Sequence, residues 1–470
     1  MAIETDIAII GGGPGGYVAA IRATQLGARV TLIEKDQLGG TCLNRGCIPS
    51  KALLDAARRY DELQHAAEFG LKTGEIGFDW AAVVARKQKV VQQLRSGTES
   101  LVKGNGVNLL AGTGSFLDAH RIQVKASGGE TEEVTARSVV IATGSTEGRP
   151  PITGLNLPGV FGSTEGLDLS AIPASVIIVG GSSIGVEFAT VFASFGSQVT
   201  IVEMLPSLVP LEDAEIGRAL AQQLQRRGLQ VRTASRLEEV RQVEGGLEAV
   251  ISNASGSETL RAERLMVAMG RPPYTEGLGI ERIGVDMNRR LIKVDERMQT
   301  SVPGVFAIGD VTGGGLAHVA SAQGEVAVEN ALGHESAMDY RAVPGVTFCR
   351  PQVASVGLTE EKAQQTGQTL KIGRFPFAAT SKAVVIGDTA GFVKVVAEAK
   401  YGQVLGVHMI GPEVTDLIAE AAIAVMMEAT IEDLARTIHA HPTLPEALKE
   451  ATLDADQRAI HIMKRRRPPA

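Results

Sequence analysis

Four apolar residues in a row, Ile7-Ala8-Ile9-Ile10, run straight into Gly11-Gly12-Gly13. A short apolar run closed by glycines predicts a buried strand and a tight turn. Residues 6–34 read DIAIIGGGPGGYVAAIRATQLGARVTLIE. The pattern is strand, glycine turn, helix, a stop at Gly27, a second apolar strand, then the acid Glu34. The same order returns at 175–203, SVIIVGGSSIGVEFATVFASFGSQVTIVE. The two stretches align without a gap at an offset of 169 residues. They share Gly11/Gly180, Gly12/Gly181, Gly16/Gly185, Ala20/Ala189, Gly27/Gly196, Val30/Val199, Thr31/Thr200 and Glu34/Glu203. Each is a βαβ pattern, so an α/β unit is predicted twice.

Other strand patterns also end in glycine: 139–144, 265–270, and 305–309 with Asp310 behind it. In open α/β sheets ligands lie beyond the carboxyl ends of strands, which makes Asp310 a candidate for a cofactor hydroxyl. Its bland role is a turn or helix cap. Gly148-Arg149-Pro150-Pro151 and Gly270-Arg271-Pro272-Pro273 bracket the second unit as linkers, and Pro344-Gly345 opens a last block of about 120 residues. That block has strand patterns at 392–397 and 404–410 and a helix pattern over 414–427. The helix stripe Leu417, Ile418, Ala421, Val425 and Met426 fits core packing and a subunit interface equally.

Composition narrows the class. A chain of 470 residues suggests about three domains. Hydrophobic residues at 44% and charged residues at 21% are ordinary globular values. Glycine is in excess, 54 residues, without a three-residue period, which means turns and close approaches instead of collagen. Aromatics at 4% and a net charge of −7 argue against a nucleic-acid partner. Three cysteines cannot staple a secreted scaffold, and no apolar run reaches the ~20 residues of a membrane span. Met1 to Asp6 carries two acids and no basic stretch, so neither a signal nor a transit peptide is expected, and the location expected is the cytoplasm. The tail from Lys464 to Pro469 is expected to be a solvated, disordered end.

The repeated unit has a physical reading. Its first glycine permits a tight turn, its second lets backbone approach a pyrophosphate, and its third lets helix pack on strand. Orphan N–H groups at the helix start face the phosphates. The acid 23 residues after the first glycine accepts a ribose hydroxyl. The first copy has Gly11, Gly13 and Gly16 complete; the second has Ser182 in the middle place, where a Cβ crowds the pyrophosphate or holds it farther off. Glu203 repels a 2′-phosphate, so this site should prefer NAD to NADP.

Cys42 and Cys47 sit in LGGTCLNRGCIPSK, separated by four residues. Two cysteines without an adjacent histidine are too few for structural zinc, and no metal site is expected. The spacing fits a redox dithiol or two inert thiols. A helix starting near the pair would favour a thiolate and would stack Lys51 on Cys47. Cys349, inside TFCRPQ, reads as a buried apolar residue. Among eight histidines, His439-Ala440-His441-Pro442-Thr443-Leu444-Pro445-Glu446 is unusual. A neutral imidazole there could take a thiol proton with a carboxylate fixing its tautomer, or the segment is a loop with a capping histidine.

The segments GGTCLNRGCIPSK, IATGS, TSVPGVFAIGD and HAHPTLPEALKEA, in this order, resemble the pyridine-nucleotide flavoprotein disulfide reductases, from the first fingerprint to about Leu453. The resemblance implies an α/β fold of two Rossmann-like dinucleotide-binding domains plus a C-terminal α/β dimerisation domain. The divisions implied are 1–147 for FAD, 148–275 for NAD, 276–346 for a central domain completing the FAD site, and 347–470 for the interface of a homodimer. It implies that Gly11, Gly13, Gly16, Glu34, Lys35, Gly40, Thr41, Lys51, Gly114, Ala142, Thr143, Gly144, Ser145, Gly309, Asp310, Leu316, Ala317 and His318 hold FAD. Gly180, Gly181, Ser182, Ile184, Gly185, Glu187, Glu203 and Gly270 would hold NAD, with Ile184 on the nicotinamide side and Glu187 paired to Lys51. Cys42 would exchange with substrate, Cys47 would be the thiolate beside the flavin, and the partner's His441, oriented by Glu446 of the same partner, would be the base. Pro445 departs from the small or polar residue often found there, and would stiffen the loop. The implied activity is oxidation of protein-bound dihydrolipoamide with NAD as acceptor, and the implied partners are lipoyl domains of 2-oxo acid dehydrogenase or glycine cleavage complexes, with no membrane. A reductase of another disulfide or of mercuric ion, and an idle flavoprotein acting as a binding module, are the competing readings.

Overall fold

The computed structural model describes residues 3–463, so the basic tail lies outside the described residues. The first unit runs β1 (Ile3–Ile10), α1 (Pro14–Gln25), β2 (Val30–Glu34), α2 (Gly40–Arg45), α3 (Cys47–Gln64), α4 (Trp80–Gly104), β3 (Asn108–Ala111), β4 (Thr113–Phe116), β5 (Arg121–Lys125) and β6 (Thr131–Ile141). β3, β2, β1 and β6 pair in parallel, with Ile7 to Ile10 facing Val30 to Ile33 on one side and Ser138 to Ile141 on the other. Residues 7–10 of β1 and 30–33 of β2 are buried, as an apolar run covered on both faces must be.

The second unit repeats the plan with β7 (Val160–Phe161), α5 (Ser163–Gly166), β8 (Ser175–Val179), α6 (Ser183–Ser194), β9 (Gln198–Val202), α7 (Ala214–Arg226), β10 (Gln230–Arg232), a meander β11 (Arg236–Val243), β12 (Gly246–Asn253), β13 (Gly256–Ala262), and β14 (Arg264–Val267). Its parallel sheet has the order β10-β9-β8-β14-β7. The chain then returns through β15 (Met287–Asn288) and β16 (Leu291–Ile292) to β17 (Val305–Ala307), which pairs with β6, and to α8 (Ala317–Ala331). β6 is long enough to pair with β5 through its first half and with β17 through its last three residues. Packing of α8 on α1 is close: a Cβ on Gly324 would stand 2.6 Å from the Gly15 carbonyl oxygen.

The two linkers run side by side. Thr146 N–H donates to Pro272 O (2.9 Å) and Gly148 N–H to Gly270 O (3.2 Å), so the way out of the first unit and the way back form one crossing.

The last block contains β18 (Gly345–Thr347), β19 (Gln352–Gly357), α9 (Glu360–Gln365), β20 (Leu370–Pro376), α10 (Ser381–Ile386), β21 (Phe392–Glu398), β22 (Val404–Gly411), α11 (Val414–Met426), α12 (Ile431–Arg436) and α13 (Glu446–Ala455). Its antiparallel sheet, β18-β19-β22-β21-β20, packs α11 and α13 in a shared core. The α11 stripe divides: Ile418, Ala421 and Val425 are buried in that core, while Met426 at the last turn is exposed with Ile423 and Met427. The helix therefore carries two apolar faces, one for the sheet and one left outward. Elsewhere the block meets the second unit through charge. Lys394, 2% exposed, reaches Asp213 (2.8 Å) and Glu360 (2.8 Å).

Candidate active site

The cysteine segment folds as two helices broken at Gly46. Cys42 lies in α2; Cys47 is the first residue of α3, where N–H groups lack intrahelical partners and favour an anion. Both sulfurs are half-buried and unbridged. The Cys42 thiol hydrogen-bonds the Cys47 sulfur, which brings Cys47 down to about 7 against its burial and the Glu187 charge, with Lys51 helping. The same bond, with burial, pushes Cys42 far up, so the pair holds one proton on Cys42 and leaves Cys47 as the thiolate.

Lys51 follows one turn after Cys47 on α3. Its Nζ meets both oxygens of Glu187 on α6 at 2.9 and 2.8 Å. Phe348 N–H also donates to Glu187 Oε1 (3.0 Å), and the Phe348 ring lies under Lys51 Nζ at 4.8 Å. Farther along α3 the buried Asp61 takes Arg227 (2.6 Å), Ser194 (3.1 Å) and Arg350 (3.4 Å). Both ends of the cysteine helix are thus tied to the second unit and to the last block.

The two glycine turns share one backbone geometry. Gly11 and Gly180 have φ of +111° and +115°, and a Cβ on Gly16 or Gly185 would stand 1.8 Å from the carbonyl oxygen of Gly11 or Gly180. Only glycine permits these turns and this helix–strand approach. Gly13 and Ser182 precede α1 and α6 with φ,ψ of −69°, −176° and −77°, −177°. That is ordinary extended backbone, and a Cβ on Gly13 meets nothing within 4 Å. Ser182 therefore fits its turn without backbone strain. Glu34 accepts from Gly12 N–H (2.6 Å) and Asp36 N–H (2.8 Å); Glu203 accepts from Gly181 N–H (2.6 Å) and Leu205 N–H (2.7 Å). Each carboxylate is aimed by the turn it serves and keeps lone pairs for a hydroxyl. An open cradle at the helix start with an aimed carboxylate beside it fits a dinucleotide in both places.

Around the first cradle, Gly40 has φ +54° and a Cβ there would lie 2.8 Å from Gly13 Cα. Thr41 leads into Cys42. Lys35 Nζ stacks 3.6 Å over Tyr274, whose carbonyl takes the Thr143 hydroxyl (2.7 Å) and whose N–H reaches Gly144 O (2.9 Å). Ala142 continues β6 beside Gly11. The Ser145 hydroxyl donates to Asp310 (2.5 Å), and Gly309 N–H to Gln323 (2.7 Å). Leu316 caps α8, Ala317 begins it, and His318 Nε2 meets Pro344 O (2.9 Å). Gly114 sits inside the sheet among Ile10, Ile33 and Ile122. Ile184 and Gly270 line a cleft between the second unit and its linkers with Glu147, Ser163 and Arg271.

Arg271 was not singled out by its spacing, yet it joins the two sites. Its guanidinium reaches Ser145 Oγ (3.2 Å) and Thr41 Oγ1 (3.4 Å). Burial lowers its pKa, while Glu147 and Asp310 supply opposing charge. Phe348 was missed as well, and the only signal for it was its place beside Cys349, which is buried as expected.

In the last block, His441 Nδ1 meets Glu446 Oε1 at 2.9 Å, and Thr443 N–H donates to Glu446 Oε2 at 2.8 Å. Burial pushes Glu446 up, but these bonds more than offset it and hold the carboxylate ionised. The His441 ring is 68% exposed, on a loop facing outward from its own subunit.

Residues 5–324 match the family described as pyridine nucleotide-disulphide oxidoreductase, and residues 343–452 match the dimerisation domain of the same family. The chain is 42% identical to a dihydrolipoyl dehydrogenase of Geobacillus stearothermophilus, covering 98% of both chains. It is also 42% identical to a mitochondrial dihydrolipoyl dehydrogenase of Pisum sativum, covering 98% of this chain and 93% of that one. Among solved structures it resembles LpdA from Mycobacterium tuberculosis, with a TM-score of 0.88 at 29% identity over 96% of this chain and 99% of that one. Two glycine cradles, a cysteine pair between them and these matches lead to one conclusion: the chain belongs to the pyridine nucleotide-disulphide oxidoreductase family.

Proposed function

We propose that the protein is a dihydrolipoyl dehydrogenase, a homodimer that oxidises protein-bound dihydrolipoamide to lipoamide and reduces NAD. The carrying observation is a Cys42–Cys47 pair at the start of α3 one turn from Lys51, together with an outward-facing His441–Glu446 dyad. The names of the relatives and the match at 343–452 support it. FAD belongs in the first cradle, by Glu34, Gly13, Lys51, Ser145 and Asp310; NAD belongs in the second, by Glu203, Gly181 and Ile184. When bound, FAD relays two electrons from the dithiol to NAD, which takes them as a hydride.

The chain's own residues handle sulfur and protons. Glu446 accepts from Nδ1–H of His441, which leaves Nε2 to take a thiol proton from the substrate. The substrate thiolate attacks Cys42 of the oxidised pair, and the Cys42–Cys47 bond breaks as a mixed disulfide forms. The second substrate thiol then closes the lipoamide disulfide and expels Cys42. Substrate loses two electrons and two protons; the cysteine pair gains the electrons, one proton rests on His441 and the other on the expelled Cys42. Cys47 is the thiolate left behind, stabilised by the Cys42 thiol and Lys51.

Because His441 faces away from its own subunit, the proposal places it in the partner's site. Exposed Ile423, Met427 and Ile438 supply apolar area for that contact. Lipoyl domains are the proposed partners. The divisions at 147, 275 and 346 belong to the same proposal, supported by the crossing of the two linkers. So does a cytoplasmic location, which cell fractionation tests: no helix among the described residues is long and apolar enough to cross a membrane, and some plant relatives carry mitochondrial names. The deciding experiment assays purified protein for dihydrolipoamide-dependent NAD reduction, with glutathione disulfide and Hg(II) as alternative substrates for NADH and the bound flavin identified. Turnover confined to lipoamide is expected; faster turnover of either alternative, or a colourless protein that takes up no flavin, refutes it.

A further inference from the structure

Two residues before the proposed base stands a second histidine in a different setting. His439 Nε2 meets Glu420 Oε1 of α11 at 2.8 Å, and its Nδ1 meets the Thr437 carbonyl oxygen at 3.1 Å. Both partners are acceptors only. A neutral imidazole has one N–H and would turn a lone pair toward one of them; the imidazolium, with two N–H groups, satisfies both. The side chain is 6% exposed, against 68% for His441. Between the two histidines lies Ala440 alone, whose carbonyl takes the Thr443 hydroxyl at 2.6 Å. One turn of loop therefore has a tethered ring at its start and a free ring nitrogen two residues on.

We infer that His439 is a positioning residue of the base-bearing loop: as an imidazolium held between Glu420 and the Thr437 carbonyl, it clamps the segment to α11 and sets where His441 Nε2 stands for the incoming thiol. This rests on the dithiol-oxidising reading above. Glu420 from α11 and Lys449 from α13, which also reaches the Thr437 carbonyl (3.2 Å), are the charged groups facing the ring. The bond from Glu420 raises His439 above the ordinary histidine range, against burial and the Lys449 charge. A group with a raised pKa holds its contacts below that value and loses them as pH climbs through it. The clamp thus holds to higher pH than an unpaired histidine would allow and loosens as pH climbs above that.

The test uses the FAD-loaded dimer and measures the two half-reactions separately against pH. Glu420→Gln removes the anion that keeps the ring charged. Its alkaline limb in dihydrolipoamide oxidation should move to lower pH, while the acid limb stays in place. His439→Gln has one amide for two acceptors and does not titrate; it should lower kcat for dithiol oxidation by about 10- to 100-fold, the scale of a misplaced catalytic group, and erase that limb's dependence on residue 439. In both variants NADH should reduce the flavin at the wild-type rate. An unmoved alkaline limb in Glu420→Gln, or equal slowing of both half-reactions in His439→Gln, overturns the positioning role alone. A wild-type enzyme inert toward dihydrolipoamide overturns the dithiol reading and this inference with it.

Discussion

At the scale of single residues, chemistry follows from a few short distances. Cys47 is a thiolate near neutral pH because it begins a helix, accepts from Cys42 and lies near Lys51. Cys47→Ser should abolish dihydrolipoamide turnover and the long-wavelength thiolate–flavin absorbance, and full activity in that variant would refute the redox role. Lys51→Met should raise the pH at which this absorbance develops in the reduced enzyme, from about 7 upward, because a cation that lowers Cys47 has gone. A pH titration of the absorbance checks the direction. The cysteine pair and Lys51 were readable in the sequence because their spacing is local: a helix puts residue i+4 over residue i. Glu420 and Arg271 were not, since their partners lie 19 residues away for Glu420, and 126 and 230 away for Arg271.

At the scale of elements, α1 and α6 do the same work, and the glycines under them set how close each helix comes to its strand. A Cβ at residue 185 would require α6 to move off β8, since it would meet the Gly180 carbonyl at 1.8 Å. Gly185→Ala should cost about 1–3 kcal/mol of overpacking and weaken NADH binding while flavin content stays near one per subunit, measured by titration and absorbance. Ser182 makes the opposite point. The fingerprint rule treats its position as one for glycine, but the backbone there is extended and accepts any residue. Sequence pattern located the turn; the dihedral angles decided which of its glycines are obligatory. The α11 stripe likewise left core and interface undecided, and only the sheet beneath it showed that Ile418 and Ala421 go inward while Ile423 and Met427 stay out.

At the scale of the whole molecule, three blocks are joined by charge at buried points, Lys51–Glu187, Asp61–Arg227 and Lys394–Asp213, and the His441 loop faces outward. If the base acts in trans, mixed dimers of Cys47→Ser and His441→Gln subunits should regain activity. Random pairing makes half the dimers mixed, each with one complete site, so about a quarter of wild-type activity is expected from symmetric two-fold assembly. Mixed dimers as inactive as their parents would place the base in its own subunit's site. The sequence alone determined the repeated βαβ unit, both glycine turns and the spacing that sets Cys42, Cys47 and Lys51 on neighbouring turns, and through its family resemblance pointed to the His441–Glu446 dyad, because each depends on neighbours within one turn or one supersecondary unit, where chain geometry fixes spacing. Tertiary structure decided the rest. The partners of Asp61, Arg271 and Lys394, which histidine is tethered and which is free, and which apolar face meets solvent all depend on how distant segments pack, and no local periodicity encodes that.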